Sequence, residues 1–473
     1  MKIGFSNKII MIGFGCLGQG IIPLLLRHLD ISSSQITIVT DQLRHDEQEK
    51  NVIEKYKLKI ILEKLTLENY QTILTPLINK GDFVLNLSVE VASTALVSLA
   101  QQQQALYLDT CIEPWQGGYT AIEKDLYECT NHALRHNALL THKKHNKTSS
   151  PTAILCQGAN PGLISQFVKQ ALLNIAKDNN LEITHPKTQL DWAQLAQRLN
   201  IKTIHIAERD TQQSNLPKNP KEFRNTWSVN GFVAEGTQPT ELGFGTHEKN
   251  MPLDANQTPH DKNIIYLNKP GLSTKVRTWT PILGAFHGYL ITHNEAITLC
   301  EFLRITQDNK TLYCPTVHYS YRPCDEAVTS IEQVQFDEYQ EPKSTRVLKD
   351  EITEGVDELG VLLMGNQKGA YWYGSRLSTD EARQLCPYNT ATSLQVVAGV
   401  LAGMIWAINN PDRGIIEPEY IDLDAIMDVA TPYLGKMFGE YTTWTPLDNR
   451  NKMFPEKNLD WDDPWQFSNI RVW

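Results

Sequence analysis

The chain has 473 residues, 41% hydrophobic and 21% charged, which is length for roughly three domains of about 150 residues or for two larger ones and too apolar for general disorder. Lys and Arg number 44 against 54 Asp and Glu, a formal net charge of -10, the wrong sign for a protein that grips a nucleic-acid duplex and compatible with cationic ligands. Eight cysteines without a CxxC pair argue against a zinc site and a disulfide framework.

The opening MKIGFSNK runs directly into an apolar strand, with no hydrophobic stretch before a small-residue cleavage site. That predicts a cytoplasmic protein with reduced thiols. The first third alternates strand and helix. Ile9 to Ile12 reads as a strand, a Gly-rich turn follows, and Leu17 to Leu29 has helical spacing. Further strands are predicted at Gln35 to Thr40, Leu58 to Leu62, Phe83 to Leu87 and Ala105 to Asp109, with helices over Asn69 to Ile78 and Val91 to Gln102. Such alternation builds a parallel sheet covered by helices. After Trp115 the composition predicts a loop through the His- and Lys-rich stretch Thr141 to Ser150. Thr152 to Cys156 is a buried strand, QGANPG a turn, and Leu163 to Ala176 a helix.

From Asp178 to Leu385 short β-rich pieces, Thr203 to Ile206, Tyr289 to Thr292 and Val361 to Met364, are separated by long polar connections. The apolar run Val396 to Ile408 is 13 residues, short of the ~18 to 20 of a spanning helix. It is expected to be a buried helix that returns to the first domain, Gly399 and Gly403 admitting another backbone. The predicted fold is α/β: a Rossmann-type, doubly wound parallel-sheet domain over residues 1–160, a larger mixed α+β domain over 161–390, and a C-terminal segment over 411–473.

Gly13-Phe14-Gly15-Cys16-Leu17-Gly18 fits GxGxxG between a strand and a helix. Gly13 permits the tight turn, Gly15 lets backbone reach a pyrophosphate, and Gly18 allows close helix packing, while the helix N-terminus offers N–H groups to the phosphates. Asp41 ends the second strand, where a carboxylate accepts from the ribose hydroxyls and repels a 2′-phosphate. This favours NAD over NADP, with Arg44 nearby as the opposing feature. Cys16, Leu17, Ser88, Asp109, Thr110 and Gly158 are assigned to the same cofactor.

Acids recur in short conspicuous pieces: Glu90 in LSVE, Glu113 in IEPW, Glu208 and Asp210 in AERD, and Glu235 in VAEG. Singly, each reads as a cap or solvated charge; beside a cofactor edge they suggest a site for a cation. Trp227 lies in the polar context NTWSVNGF, where an indole face can hold a cation or simply pack in a core. His293 in ITHNE ends an apolar strand and is a candidate general base or a structural histidine. His132 and His136 share a helix face and His142 and His145 lie in the basic stretch, but without a carboxylate or cysteine complement a solvated loop is the better reading, and no metal is expected. Neither a GxSxG elbow nor a P-loop is present.

Over nearly its whole length the chain resembles the bacterial homospermidine synthases, of the saccharopine dehydrogenase-like superfamily. The resemblance rests on MIGFG (11–15), NLSVE (86–90), EPW (113–115), GANPG (158–162), IHIAERDTQ (204–212), NTWSV (225–229), THNE (292–295), DELGVLL (357–363), YWYGS (371–375) and DPWQF (463–467). It implies an NAD-dependent enzyme that joins two putrescines, or putrescine and spermidine, releasing ammonia without net oxidation, as a homodimer with neither nucleic-acid nor membrane partners, and with 161–390 as the catalytic and dimerisation domain. It further implies that Glu208, Glu235 and Asp357 bind amine and handle protons, that Glu113 and Asn160 line the pocket, that His293 is a base or relay, and that Trp227 faces the cationic intermediate. Glu90 is a further substrate-binding position and stands where the family pattern has Asp. The alternatives are a saccharopine- or carboxynorspermidine-type dehydrogenase, whose carboxylate substrates call for arginines, and a non-catalytic NAD- and polyamine-binding sensor.

Overall fold

The computed structural model describes residues 2–44, 46–119, 125–144 and 150–472. Six strands of the first domain and one from near the C-terminus form a wholly parallel sheet in the order Ile415–Ile416, Ala153–Ile154, Leu106–Asp109, Phe83–Asn86, Ile9–Ile12, Ile36–Thr40, Lys59–Leu62. This is the Rossmann order, with the reversal between Ile9–Ile12 and Phe83–Asn86. Ile9–Ile12, Ile36–Thr40 and Phe83–Asn86 are buried at every position, which is why they read as continuous apolar runs and not as alternating ones.

The second domain is a larger sheet than its short apolar pieces suggest. Its path runs Ala255–Gln257, Ile264–Pro270, Pro239–Gly243, Thr316–Arg322, Thr203–Asp210, Val356–Asn366, Gly369–Ser378, Lys436–Thr442. Thr203–Asp210 pairs in parallel with Thr316–Arg322 and antiparallel with Val356–Asn366. The strands run on through polar residues because these point into the molecule: Glu208, Asp210 and Asp357 are all buried. The expected strand Tyr289 to Thr292 is corrected: the strand is Gly284–Tyr289, and His293 caps the helix Asn294–Phe302.

The loop predicted after Trp115 is also corrected in part, since Asn131–Lys144 is a helix. Its polar composition is answered by tertiary partners. Glu241 of the second sheet accepts from the backbone N–H groups of Asn131 (2.9 Å) and His132 (3.0 Å), which satisfies orphan donors at the helix start. Arg135 pairs with Glu417 at 2.5 Å and Glu301 at 2.9 Å. His132 and His136 stack on this helix face with His260; the His142 side chain and His145 lie outside what is described.

Helix Ala391–Asn409 has the length and hydropathy of a membrane span but is almost wholly buried. It packs on helix Cys16–His28, strand Leu106–Asp109 and helix Leu423–Ala430. A Cβ at Gly399 would overlap the carbonyl oxygen of Gly158, and one at Gly403 would lie 2.5 Å from Gln157 Cγ. The two glycines therefore let this helix close over the QGANPG turn.

Candidate active site

At the topological reversal the turns after Ile9–Ile12 and Phe83–Asn86 leave on opposite sides and open a cleft of about 740 Å³. Gly13, Gly15, Cys16, Leu17, Asp41, Ser88 and Thr110 line it. Gly13 has φ +92°, and a Cβ there would lie 2.7 Å from Leu87 O, so the turn requires glycine. Gly15, the N-cap of helix Cys16–His28, makes no side-chain cap bond, and the space where its Cβ would stand is open. A helix start beside open space, with Asp41 and Arg44 on the same lining, offers the features a dinucleotide needs.

Three assigned cofactor residues do not reach the lining. Gly18 packs against the turn, its Cβ position 2.7 Å from Gly13 O. Asp109 is buried, its oxygens taken by Cys156 N (2.7 Å) and Tyr107 OH (2.8 Å). Gly158 closes its own turn, its N–H donating to Pro161 O at 2.7 Å and its carbonyl accepting from Leu163 N at 3.0 Å. These residues hold strand ends and turns together, a role that position in the sequence does not distinguish from ligand contact.

Trp227, Glu235, Glu113 and Glu90 line the same cleft. Glu113 Oε2 accepts from the Glu90 backbone N–H at 3.0 Å, which fixes Glu90 in its left-handed conformation with φ 62°. The Trp227 indole donates to Tyr321 OH at 3.2 Å and meets Phe232 edge to face. Tyr321 stacks on Tyr319, ring centroids 5.3 Å apart, and Tyr319 OH donates to Glu208 Oε2 at 2.5 Å. Asn160 Nδ2 donates to the same oxygen at 3.3 Å. His293 lies against the Tyr319 ring at 4.6 Å and its Nε2 is 3.4 Å from Glu235 Oε2, a charge contact and not a formed hydrogen bond. Trp227, Glu208, Glu235, His293 and Asn160 are thus joined through two tyrosines that the sequence pattern did not single out.

Asp357 lies deeper, its Oδ2 accepting from Thr392 Oγ1 at 2.5 Å and its Oδ1 unpartnered. It stands opposite Asp210 in the strand pairing, and Asp210 accepts from Thr226 Oγ1 at 2.6 Å, the residue before Trp227. Burial pushes Glu208, Asp210 and Asp357 up from the usual carboxylate range, and their mutual repulsion adds to it for Glu208 and Asp357. Burial raises Glu113 to about 8, against the bond from Glu90 N. The site is a set of buried carboxyl groups whose ionisation burial makes costly, beside an anchored indole. Asp210 was visible in AERD as an acid, but its pairing with Asp357 needs the strand register; Tyr319 and Tyr321 carry no sequence signal beyond an aromatic-rich strand.

Comparison with known proteins gives a consistent picture. The saccharopine dehydrogenase NADP binding domain matches residues 9–154 and the saccharopine dehydrogenase C-terminal domain residues 158–442. A homospermidine synthase of Mesorhizobium japonicum is 45% identical, the match covering 99% of this chain and 96% of that one. One of Blastochloris viridis is 44% identical, with 99% and 98% covered. The crystal structure of the homospermidine synthase of Legionella pneumophila in complex with NAD superposes with a TM-score of 0.92 at 47% identity, covering 100% of this chain and 99% of that one.

Proposed function

The chain belongs to the homospermidine synthase family, and from that membership we propose that its cleft joins two putrescines into homospermidine and ammonia, with NAD as a hydride carrier that ends unchanged. The observation that carries the reading is Trp227 on the wall of the cleft that Gly13, Gly15 and Asp41 also line, tied through Tyr321 and Tyr319 to the buried acid Glu208. The glycine turn and Asp41 fit NAD. When bound, NAD would accept the hydride removed from the carbon beside one amine and, once reduced, return it to the later imine.

The chain's own residues do the rest. Asp357, Glu208 and Asp210 form a buried acidic cluster for an ammonium group; one carboxyl releases its proton as the cation enters, and the ion pair offsets the cost that burial sets on a lone anion. The reacting amine must lose a proton before the carbon beside it is oxidised, and Glu235 with His293 takes it at Oε2 and Nε2. The product iminium lies at the Trp227 face, where attraction grows as positive charge develops, so the indole stabilises the reaction's cationic stages more than the bound diamine. The second amine attacks this carbon, ammonia leaves, and Glu113 and Glu90 hold the incoming chain at the mouth. Burial of the recess excludes water, which would otherwise release an aminoaldehyde.

We divide the chain into an NAD domain over 1–160, a catalytic domain over 161–390 and a C-terminal segment over 411–473, helix Ala391–Asn409 and strand Ile415–Ile416 serving the first. Assembly as a homodimer and work in the cytoplasm, without nucleic-acid or membrane partners, rest on the family resemblance and the composition. A saccharopine-type dehydrogenase fits less well, since the lining carries two basic side chains, Arg44 and Lys64, against acids that include Glu90, Glu113 and Glu235. Incubation with putrescine and substoichiometric NAD tests the reading. Homospermidine and ammonia in equal amounts support it; steady NADH formation indicates a dehydrogenase, and tight binding without turnover a sensor.

A further inference from the structure

The turn that carries Asn160 is held from behind by two carboxyl groups that no step above uses. Glu295 lies in the first turn of helix Asn294–Phe302 and Glu419 in the short helical turn Pro418–Tyr420. Glu295 Oε1 accepts from the backbone N–H of Gly162 at 2.7 Å and stands 3.1 Å from Ser165 Oγ. Ser165 Oγ is also 3.0 Å from Glu419 Oε1, which accepts from Thr298 Oγ1 at 2.5 Å. A serine hydroxyl has one proton to give. Both contacts are hydrogen bonds only when one of the two acids is protonated and donates back to Ser165.

Burial supports that state. Glu295, Glu419 and Ser165 are all inaccessible to solvent, and two bare carboxylates sharing a hydroxyl in such surroundings are strongly disfavoured. Lys169, the nearby cation, turns its ammonium to Ile421 O at 2.8 Å. Burial and the facing Glu419 both push Glu295 well above the usual carboxylate range.

Gly162 is the N-cap of helix Leu163–Asp178, has φ +131°, and closes a turn in which a Cβ would overlap Gly158. Its N–H is one of the donors a helix start leaves unpaired, and Glu295 is what satisfies it. Two residues earlier, Asn160 reaches Glu208 at only 3.3 Å, so a small shift of the turn breaks that bond. We propose that Glu295, held neutral by the shared proton with Glu419 through Ser165, is a positioning residue that sets the 160–162 turn and so keeps the Asn160 amide on Glu208. The kinetic part of this proposal rests on the function proposed above; the geometric part does not.

Glu295→Gln preserves an acceptor for Gly162 without charge, Glu295→Ala removes it, and each is compared with Asn160→Ala and the double variant Glu295→Ala/Asn160→Ala. Expected are kcat within about twofold of the unaltered protein for Glu295→Gln, a loss of about tenfold or more for Glu295→Ala with little change in KM, and no further loss when Glu295→Ala is added to Asn160→Ala. Losses that multiply in the double variant, or Glu295→Gln as poor as Glu295→Ala, overturn it. A crystal structure of Glu295→Ala should show the Asn160 amide away from Glu208; an unmoved turn refutes the proposal whatever the reaction turns out to be. If Glu295→Ala does not fold, Glu295→Met, which keeps the volume but offers Gly162 no oxygen, takes its place in both measurements, with the same displacement expected and an unmoved turn again contradicting the proposal. Absence of homospermidine from the unaltered protein counts against the proposed function alone.

Discussion

Asp210 and Asp357 stand directly opposite each other on neighbouring antiparallel strands, buried and on one face with Glu208. Like charges so placed destabilise a sheet, and burial compounds the cost, so the group favours a state in which at least one carboxyl keeps its proton. Putrescine binding should therefore release a proton, and its affinity for the NAD complex should rise as pH climbs through about 6 to about 7, to which burial raises Asp210 and Glu208. Calorimetry in buffers of different ionisation enthalpy reads the released proton directly. Asp357→Asn, which leaves an oxygen for Thr392, should keep the thermal midpoint or raise it by a few degrees and weaken putrescine by about tenfold or more. Proton uptake on binding contradicts this reading.

Glu113 gives a stability signature of known sign. Burial raises its folded-state value from 4.5 to about 8, so the native state binds the extra proton across this window. Stability from this group is fully present below the unfolded value and falls as pH rises towards the folded one, by up to about 1.4 kcal/mol per pH unit. In ligand-free protein, Glu113→Gln should lose stability less steeply than the unaltered chain from pH 5 to 8, by urea denaturation at each pH. Parallel curves would falsify the neutral assignment.

Trp227 offers a graded test. A desolvated cation against an indole is worth about 2 kcal/mol, so Trp227→Ala should lower kcat by about thirtyfold or more. Trp227→Phe keeps a ring face but loses the bond to Tyr321 OH, and an intermediate rate is expected. Equal rates in all three proteins remove Trp227 from the chemistry.

Asp41 and Arg44 share the cofactor lining. In the unaltered protein the carboxylate should exclude a 2′-phosphate. Asp41→Ala should weaken NAD and bring NADP to within about tenfold of it, as Arg44 becomes the dominant charge. Titration calorimetry with both dinucleotides measures the ratio, and an unchanged ratio denies Asp41 its role.

The Rossmann half of the fold was legible because a strand buried on both faces writes itself as an apolar run, and because GxGxxG opens the turn at the reversal while Asp41 ends the neighbouring strand. The second sheet was less so. Its strands carry Glu208, Asp210 and Asp357 inward, which breaks the apolar runs that mark a buried strand, and helix Asn131–Lys144 is made by Glu241 and Arg135 contacts that local composition cannot contain. In the site, Trp227, Glu235, Glu113 and Glu90 reach the cleft from conspicuous motifs. Tyr319, Tyr321 and Glu295 act through neighbours brought together only by strand register and helix packing.

In the proposed reaction the hydride leaves and returns within one site. Putrescine carrying deuterium on both amine-bearing carbons, supplied with unlabelled NAD in trace amount, tests this by mass analysis of the product. Homospermidine should retain every deuterium, with no NADH accumulating; product lacking one deuterium, or label passing into free NADH, would overturn the proposed hydride return.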